Sequence, residues 1–160
     1  MKKYVYFSVC FCLGFTSSSL AKTLYHPCVL ANNAAYAKYN KTKIMDMMYW
    51  LRENINHPTA LRMTDIMNYV TPNVVMKSNN QLIASGVKAL FMHFVAYEKQ
   101  NKHVQYTFKE TVLGNTKIAL HYEVTLTSKN NTVHREEIIG IFSMSQNKIA
   151  TWNEVVHRSG

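Results

Sequence analysis

Three side chains in the second half of this 160-residue chain have the types and spacing for proton transfer: His121, Glu123 and Glu154. His121 and Glu123 lie two apart in the run Lys117 to Ser128, and Glu154 lies two after Trp152 in the run Lys148 to Val156. Both runs are rich in β-branched and aromatic residues, so each reads as a strand, and residues two apart on a strand share a face. Two carboxylates near an imidazole in an apolar cavity would have displaced pKa values, suited to proton abstraction or water activation. Burial would raise the carboxylates and a protonated His beside them would lower them. The same groups could instead orient a bound ligand.

Strand alternation fixes which residues share a face, and leaves open which face is inside. His121 and Glu123 go with Ala119 and Thr125, whereas Ile118, Leu120, Tyr122, Val124 and Leu126 take the other side. If the apolar side is the core, His121 and Glu123 face water. If the polar side is concave, they line a pocket and the apolar side needs a cover, which a dimer interface would supply. Glu110 shares a parity with Tyr106, Phe108 and Val112, so it is either a further pocket carboxylate or the mark of a bulge. Arg135, Glu136 and Glu137 read as a solvated cluster.

The elements that must position these residues are legible from period. Ile44, Met47, Met48, Leu51 and Ile55 form one apolar stripe of a helix over 41–56, ended by His57 and Pro58. A shorter helix is expected over 64–69, with Thr64 as its N-cap, and a short strand over 74–77. After a polar loop at 78–81, Ser85 would cap a third helix reaching Gln100, its buried stripe being Val87, Leu90, Phe91, Phe94 and Val95 and its His93 solvated. From His103 the period becomes two, and four long strands follow, broken at Gly114–Asn115, Lys129–Asn131 and Ser145–Lys148. Helices followed by an antiparallel meander make an α+β domain.

The first 21 residues read as an address. Lys2 and Lys3 precede an apolar run from Tyr4 to Phe15, and Ser19-Leu20-Ala21 has the small-x-small pattern of a signal-peptide cleavage site. The expected division is a signal peptide over 1–21, an N-terminal arm over 22–40 and a single domain over 41–157. Cleavage after Ala21 would export the protein to a periplasm or the exterior with no stable membrane anchor. It would also leave Cys28 as the single thiol, which can close no internal disulfide. Loss of Lys2 and Lys3 lowers the formal charge from +9 to about +7, still basic. The basic residues are scattered and carry no nucleic-acid motif, so no nucleic-acid partner is expected. His26 and Cys28 alone do not make a metal site. No phosphate-binding glycine loop, nucleophile elbow or zincin motif is present, which disfavours covalent and nucleotide-dependent enzymes and implies no cofactor.

The order of elements, with the segments Ile66 to Val75, Ala84 to Leu90 and Ile139-Gly-Ile-Phe142 through Lys148 to Glu154, resembles the SnoaL-like, nuclear-transport-factor-2-like superfamily. The resemblance covers about 41–157 and implies three N-terminal helices packed on a curved antiparallel sheet, a cone around an open-ended apolar pocket, and dimerisation through the outside of the sheet. The functional branch that can be laid along the chain resembles limonene-epoxide hydrolase. It implies His121, Glu123 and Glu154 in the places of an Arg–Asp–Asp triad, with Met76 and Ser78 replacing a Tyr and an Asn that hold the attacking water. Met76 cannot replace a phenol, so the expectation is wider: an exported homodimer binding a small, largely apolar molecule, with cofactor-free acid/base chemistry of isomerase, cyclase or hydrolase type. Met76, Tyr106, Phe91 and Trp152 would wall the pocket. The competing expectation is a non-catalytic interaction module of the same fold.

Overall fold

The structure, a computed structural model, describes residues 27–57, 61–114 and 116–159 and, in the long first helix, the side chains from Ala34 onward. The expected signal peptide over 1–21 lies outside the described residues. Helix α1 spans Pro27–Asn56. It therefore starts well inside the stretch expected as an arm. The reason is visible in its buried face: Ala37 and Asn40 continue the stripe of Ile44, Met47, Met48, Leu51 and Ile55. A small and a polar residue extend the helical period without the apolar signal that marks it in sequence.

Helix α2 is a single turn, Met63–Ile66, ending earlier than expected because the backbone of Tyr69 already accepts a hydrogen bond from Ile149 N–H. Thr64 is not its cap; Arg62 holds that position, and its side chain makes no capping hydrogen bond. Strands β1 (Val70–Ser78) and β2 (Gln81–Ser85) form a hairpin where one short strand and a loop are expected. Asn79 and Asn80 take positive φ values of 48° and 65° at its tip, the backbone of a tight two-residue hairpin turn. Helix α3, Val87–Gln100, starts behind Gly86, whose φ of 83° suits glycine alone; Ser85 ends β2 and does not cap the helix. The third helix thus follows a hairpin and is not part of an N-terminal helical run.

Strands β3 (Asn101–Leu113), β4 (Lys117–Ser128), β5 (Val133–Ser145) and β6 (Lys148–Ser159) are the expected meander. The six strands lie in the order β2-β1-β6-β5-β4-β3. The sheet is mixed rather than purely antiparallel, because β1 runs parallel to β6. Pro72, which has no N–H to donate, sits where the β1–β6 register is irregular, between Val70 and Val75. Gln146 and Asn147 turn β5 into β6 with φ of 51° and 60°. A Cβ on Gly114 would stand 2.9 Å from the Lys117 carbonyl oxygen, so the β3–β4 turn needs glycine.

The core lies between α1, α3 and one face of the sheet, where Val104, Leu120, Tyr122, Ile138, Phe142, Ile149 and Trp152 meet the α1 stripe. The end of α1 is tied down by Asn56, whose side chain donates to Val104 C=O (3.0 Å) and accepts from Val104 N–H (2.7 Å). None of the described helices is long and apolar enough to cross a membrane.

Candidate functional site

Strand β4 settles which side is inside. Ile118, Leu120, Tyr122, Val124 and Leu126 are buried, so His121 and Glu123 occupy the opposite, outer face. There His121 Nε2 lies 2.8 Å from Glu137 Oε1, and Lys109 Nζ donates to Glu123 Oε2 at 3.3 Å. His121 and Lys109 hold Glu137 below the usual carboxylate range. The expected union of His121, Glu123 and Glu154 is therefore not formed. The apolar side of β4 finds its cover in α1 and α3, and the polar side faces out.

Glu154 does point inward. Trp152, Glu154 and Val156 share the inner face of β6, and Glu154 is 9% exposed. Its partner is one that sequence assigns to the apolar wall: Tyr122 Oη donates to Glu154 Oε1 at 2.7 Å. The two residues stand on strands separated by β5, and the residue of β5 paired with Glu154 is Gly140. A Cβ there would come within 2.8 Å of Phe142 Cε2 and 3.3 Å of Tyr122 Cε1. Glycine thus leaves the gap through which the Tyr122 ring reaches Glu154.

Burial raises the Glu154 pKa above the ordinary carboxylate value; the hydrogen bond from Tyr122 and the nearby Trp152 N–H oppose that rise. The Trp152 indole nitrogen is itself buried and makes no hydrogen bond of good geometry to a described residue. Tyr106 and Tyr97 complete a cluster of phenols, all raised well above the usual Tyr range, chiefly by burial, with the Glu154 charge adding to the rise in each. They stay protonated and act as neutral hydroxyls. No Lys, Arg or His forms an ion pair with Glu154 among the described residues.

These groups line a cavity of about 570 Å³ between α1, α3 and the inner sheet face. Met48, Leu51, Met76, Phe94, Ile138 and Trp152 give it apolar walls. Its polar side is formed by Ser78, Asn79, His93, Glu136 and Arg158 beside Glu154 and the tyrosines. Met76, Tyr106 and Trp152 therefore line it as expected, whereas Phe91 packs against the core outside the lining. His93, expected in solvent, is half-buried in the cavity wall, and burial lowers its pKa. Glu136 leaves the expected solvated cluster, turns inward and accepts from Arg158 Nε at 2.9 Å. No group of three or more His, Cys, Asp or Glu side chains among the described residues could hold a metal ion.

Two backbone devices fix this geometry. Asn79 N–H donates to Glu154 C=O at 2.8 Å, while its side chain accepts from Val156 N–H at 2.9 Å and donates to Val156 C=O at 3.4 Å. The tip of the β1–β2 hairpin so clamps the β6 backbone on either side of Val155. On β3 the register slips between Phe108 and Glu110, leaving Lys109 as an extra residue. Tyr106 and Phe108 face in before the bulge and Glu110 faces out after it. Of the two alternatives for Glu110, the bulge is the one observed.

Sequence reasoning passed over Tyr122, Tyr97, His93, Glu136 and Arg158. A signal existed for His93 and Tyr97, which are four apart and so share a helix face that also passes close to Phe94.

No protein-family model matches the chain, and no curated protein matches it. Solved structures do. An NTF2-like protein of unknown function from Exiguobacterium sp. 255-15 superposes with a TM-score of 0.61 at 14% identity, over 74% of this chain and 98% of that one. A candidate isomerase from Rhodopseudomonas palustris gives 0.60 at 11% identity, over 71% and 88%. A candidate SnoaL-like polyketide cyclase from Jannaschia sp. CCS1 gives 0.59 at 7% identity, over 74% and 85%. The chain, with helices packed on one face of an open six-stranded sheet, thus has the SnoaL-like, NTF2-like fold.

Proposed function

We propose that this is an exported SnoaL-like domain that binds a small molecule with a largely apolar body in the cone between its helices and sheet. Glu154 is the group that acts on or orients that molecule. The observation that carries the reading is a carboxylate 9% exposed in the wall of a 570 Å³ cavity, hydrogen-bonded to a phenol and paired with no cation among the described residues. Burying such a group without a counter-charge costs stability, a cost characteristic of functional sites. Structure neighbours named as a candidate isomerase and a candidate polyketide cyclase are consistent with cofactor-free proton transfer.

In that chemistry Glu154 takes a proton from a carbon acid and becomes the neutral carboxyl group that its surroundings favour, while Tyr122 keeps its own proton and fixes the carboxylate oxygen. A pKa above the ordinary carboxylate value brings the base closer to neutral pH, where general base catalysis is most effective. The outer face favours a homodimer: Ile139, Ile141 and Val155 are exposed there on adjacent strands, around the polar patch of His121 and Glu137.

Thermal unfolding of the protein with a panel of small lipophilic compounds tests the binding. A ligand of the cavity raises Tm in proportion to the logarithm of its concentration. Any compound that does so is then held in D₂O with the protein, and its carbon-bound protons are followed by NMR. Exchange that vanishes in Glu154→Gln supports the base; exchange that persists there removes it. A panel without a single stabilising compound sinks the binding reading.

A further inference from the structure

The chain as a whole is strongly basic, +9 by formal count, yet the cavity has the opposite balance. Among its lining residues Arg158 is the one Lys or Arg, and Arg158 is engaged with Glu136 at 2.9 Å. Glu154 is left over. His93, the other nitrogen base in the wall, is held towards its neutral form by burial. Tyr97, Tyr106 and Tyr122 are neutral phenols, so the titratable lining as a whole leaves one uncompensated carboxylate.

The walls around that carboxylate are aromatic. Trp152 packs on Phe94 with ring centroids 6.1 Å apart, and Tyr106 meets Tyr122 edge-on at 6.2 Å. All four rings line the same cavity as Glu154. Aromatic faces attract cations through their quadrupoles, more strongly where water is excluded, and repel anions. The Tyr122 hydroxyl spends its proton on Glu154, which leaves its lone pairs as acceptors. Burial raises the Glu154 pKa, and the hydrogen bond from Tyr122 opposes that rise; a cation seated opposite would draw the group further towards its ionised form. A neutral ligand would leave Glu154 buried without a counter-charge, and an anionic ligand would face that same uncompensated carboxylate.

We infer that the ligand is an amphiphilic amine, its ammonium head seated on Glu154 among the rings of Trp152, Tyr122, Tyr106 and Phe94 and its apolar body against Met48 and Leu51. This inference rests on the cavity-binding reading above and narrows it to a chemical class. An ammonium supplies the missing counter-charge; its N–H groups donate to Glu154 and to the Tyr122 oxygen.

Three probes of one shape test it: cyclohexylmethylamine, cyclohexylmethanol and cyclohexanecarboxylate, each titrated into the protein by calorimetry. The amine is expected to bind at least tenfold tighter than the alcohol, and the carboxylate weakest. In Glu154→Gln the amine is expected to lose its advantage over the alcohol. The wild-type protein gives a second readout that needs no variant. Below the raised Glu154 pKa the carboxyl group is neutral, so amine affinity rises with pH through that titration and then levels off, whereas alcohol affinity stays flat. Equal affinity for amine and alcohol overturns the inference and leaves cavity binding standing. An amine preference that survives in Glu154→Gln, or that does not vary with pH, also overturns it. Binding of none of the three overturns the inference and the cavity reading together.

Discussion

Tyr122 and Glu154 meet at 2.7 Å across an intervening strand, and they can do so because the β5 residue paired with Glu154 is Gly140. The neighbouring strands of a sheet lie about 4.8 Å apart, so two strands put the backbones roughly 10 Å from each other. A phenol and a carboxylate together span that gap only over a residue without a side chain.

Gly140→Ala removes the gap. The added methyl would press on Phe142, which is fully buried and has nowhere to retreat, and on the edge of Tyr122. We expect a loss of about 1–3 kcal/mol, in the range of overpacked cores. Urea denaturation measures it; an unchanged midpoint would show that the two rings move aside freely.

Tyr122→Phe and Glu154→Gln act in opposite directions. The first leaves a buried carboxylate without its donor and should cost about 1–3 kcal/mol at neutral pH. The second removes the charge and keeps an acceptor for the Tyr122 hydroxyl, and should stabilise by on the order of 1 kcal/mol at neutral pH. Burial raises the folded-state pKa of Glu154 above its unfolded value, so its penalty is absent below the unfolded value, grows as pH rises and is complete above the folded one. Denaturation at pH 4 and pH 8 should therefore show the Glu154→Gln gain at pH 8 and little of it at pH 4. An equal gain at both would mean that the charge is not what is being relieved.

His93 gives the reverse slope. Its folded pKa is lowered by burial, so the unfolded chain takes up a proton first as pH falls, and stability declines from the unfolded value of about 6.5 down to the folded one. His93→Gln should flatten that part of the stability–pH curve. The comparison is clean if Tm is followed between pH 7.5 and 5 in both proteins, and an unaltered slope would place His93 in solvent.

Asn79→Gly separates the clamp from the turn. Glycine keeps the positive φ but loses both side-chain bonds to Val156. A cost of about 1–2 kcal/mol is expected, two modest hydrogen bonds' worth. Amide exchange at Val156 should quicken by more than at Ile138 on the next strand; protection lost evenly along both would mean global destabilisation instead.

On the outer face the expectation is near silence. His121→Gln and Glu123→Gln touch partly exposed ion pairs, which contribute about 0–1 kcal/mol, and neither should alter ligand affinity in the cavity. A tenfold loss of affinity in either would return these residues to the site.

The helical half of the fold was open to sequence reasoning where apolar residues repeat, as from Ile44 to Ile55, and closed where Ala37 and Asn40 carry the same face. The β1–β2 hairpin was hidden because its turn is built from Asn79 and Asn80 with no glycine to announce it. For the site, alternation correctly put Trp152 and Glu154 on one face. It could not say whether that face also received His121 or Tyr122, since the choice depends on which side of β4 the helices cover. The plain apolar count of Ile118, Leu120, Val124 and Leu126 favoured the side that is in fact buried. Tyr122 went unnoticed because a tyrosine in an apolar row reads as wall, and only the Gly140 gap turns its hydroxyl into a partner for Glu154.

The extra residue at Lys109 has an effect beyond the cavity. Strand β3 is the margin of the sheet, and a long straight margin offers its free N–H and C=O groups to any passing strand. Past the bulge this margin carries Val112, 68% exposed, and Leu113, an apolar end that would suit such pairing. A bulge bends and twists the strand where it occurs, and the Lys109 side chain sets a charge beside it. The residue that turns Glu110 out of the cavity thus also interrupts the straight edge that another strand would need for pairing.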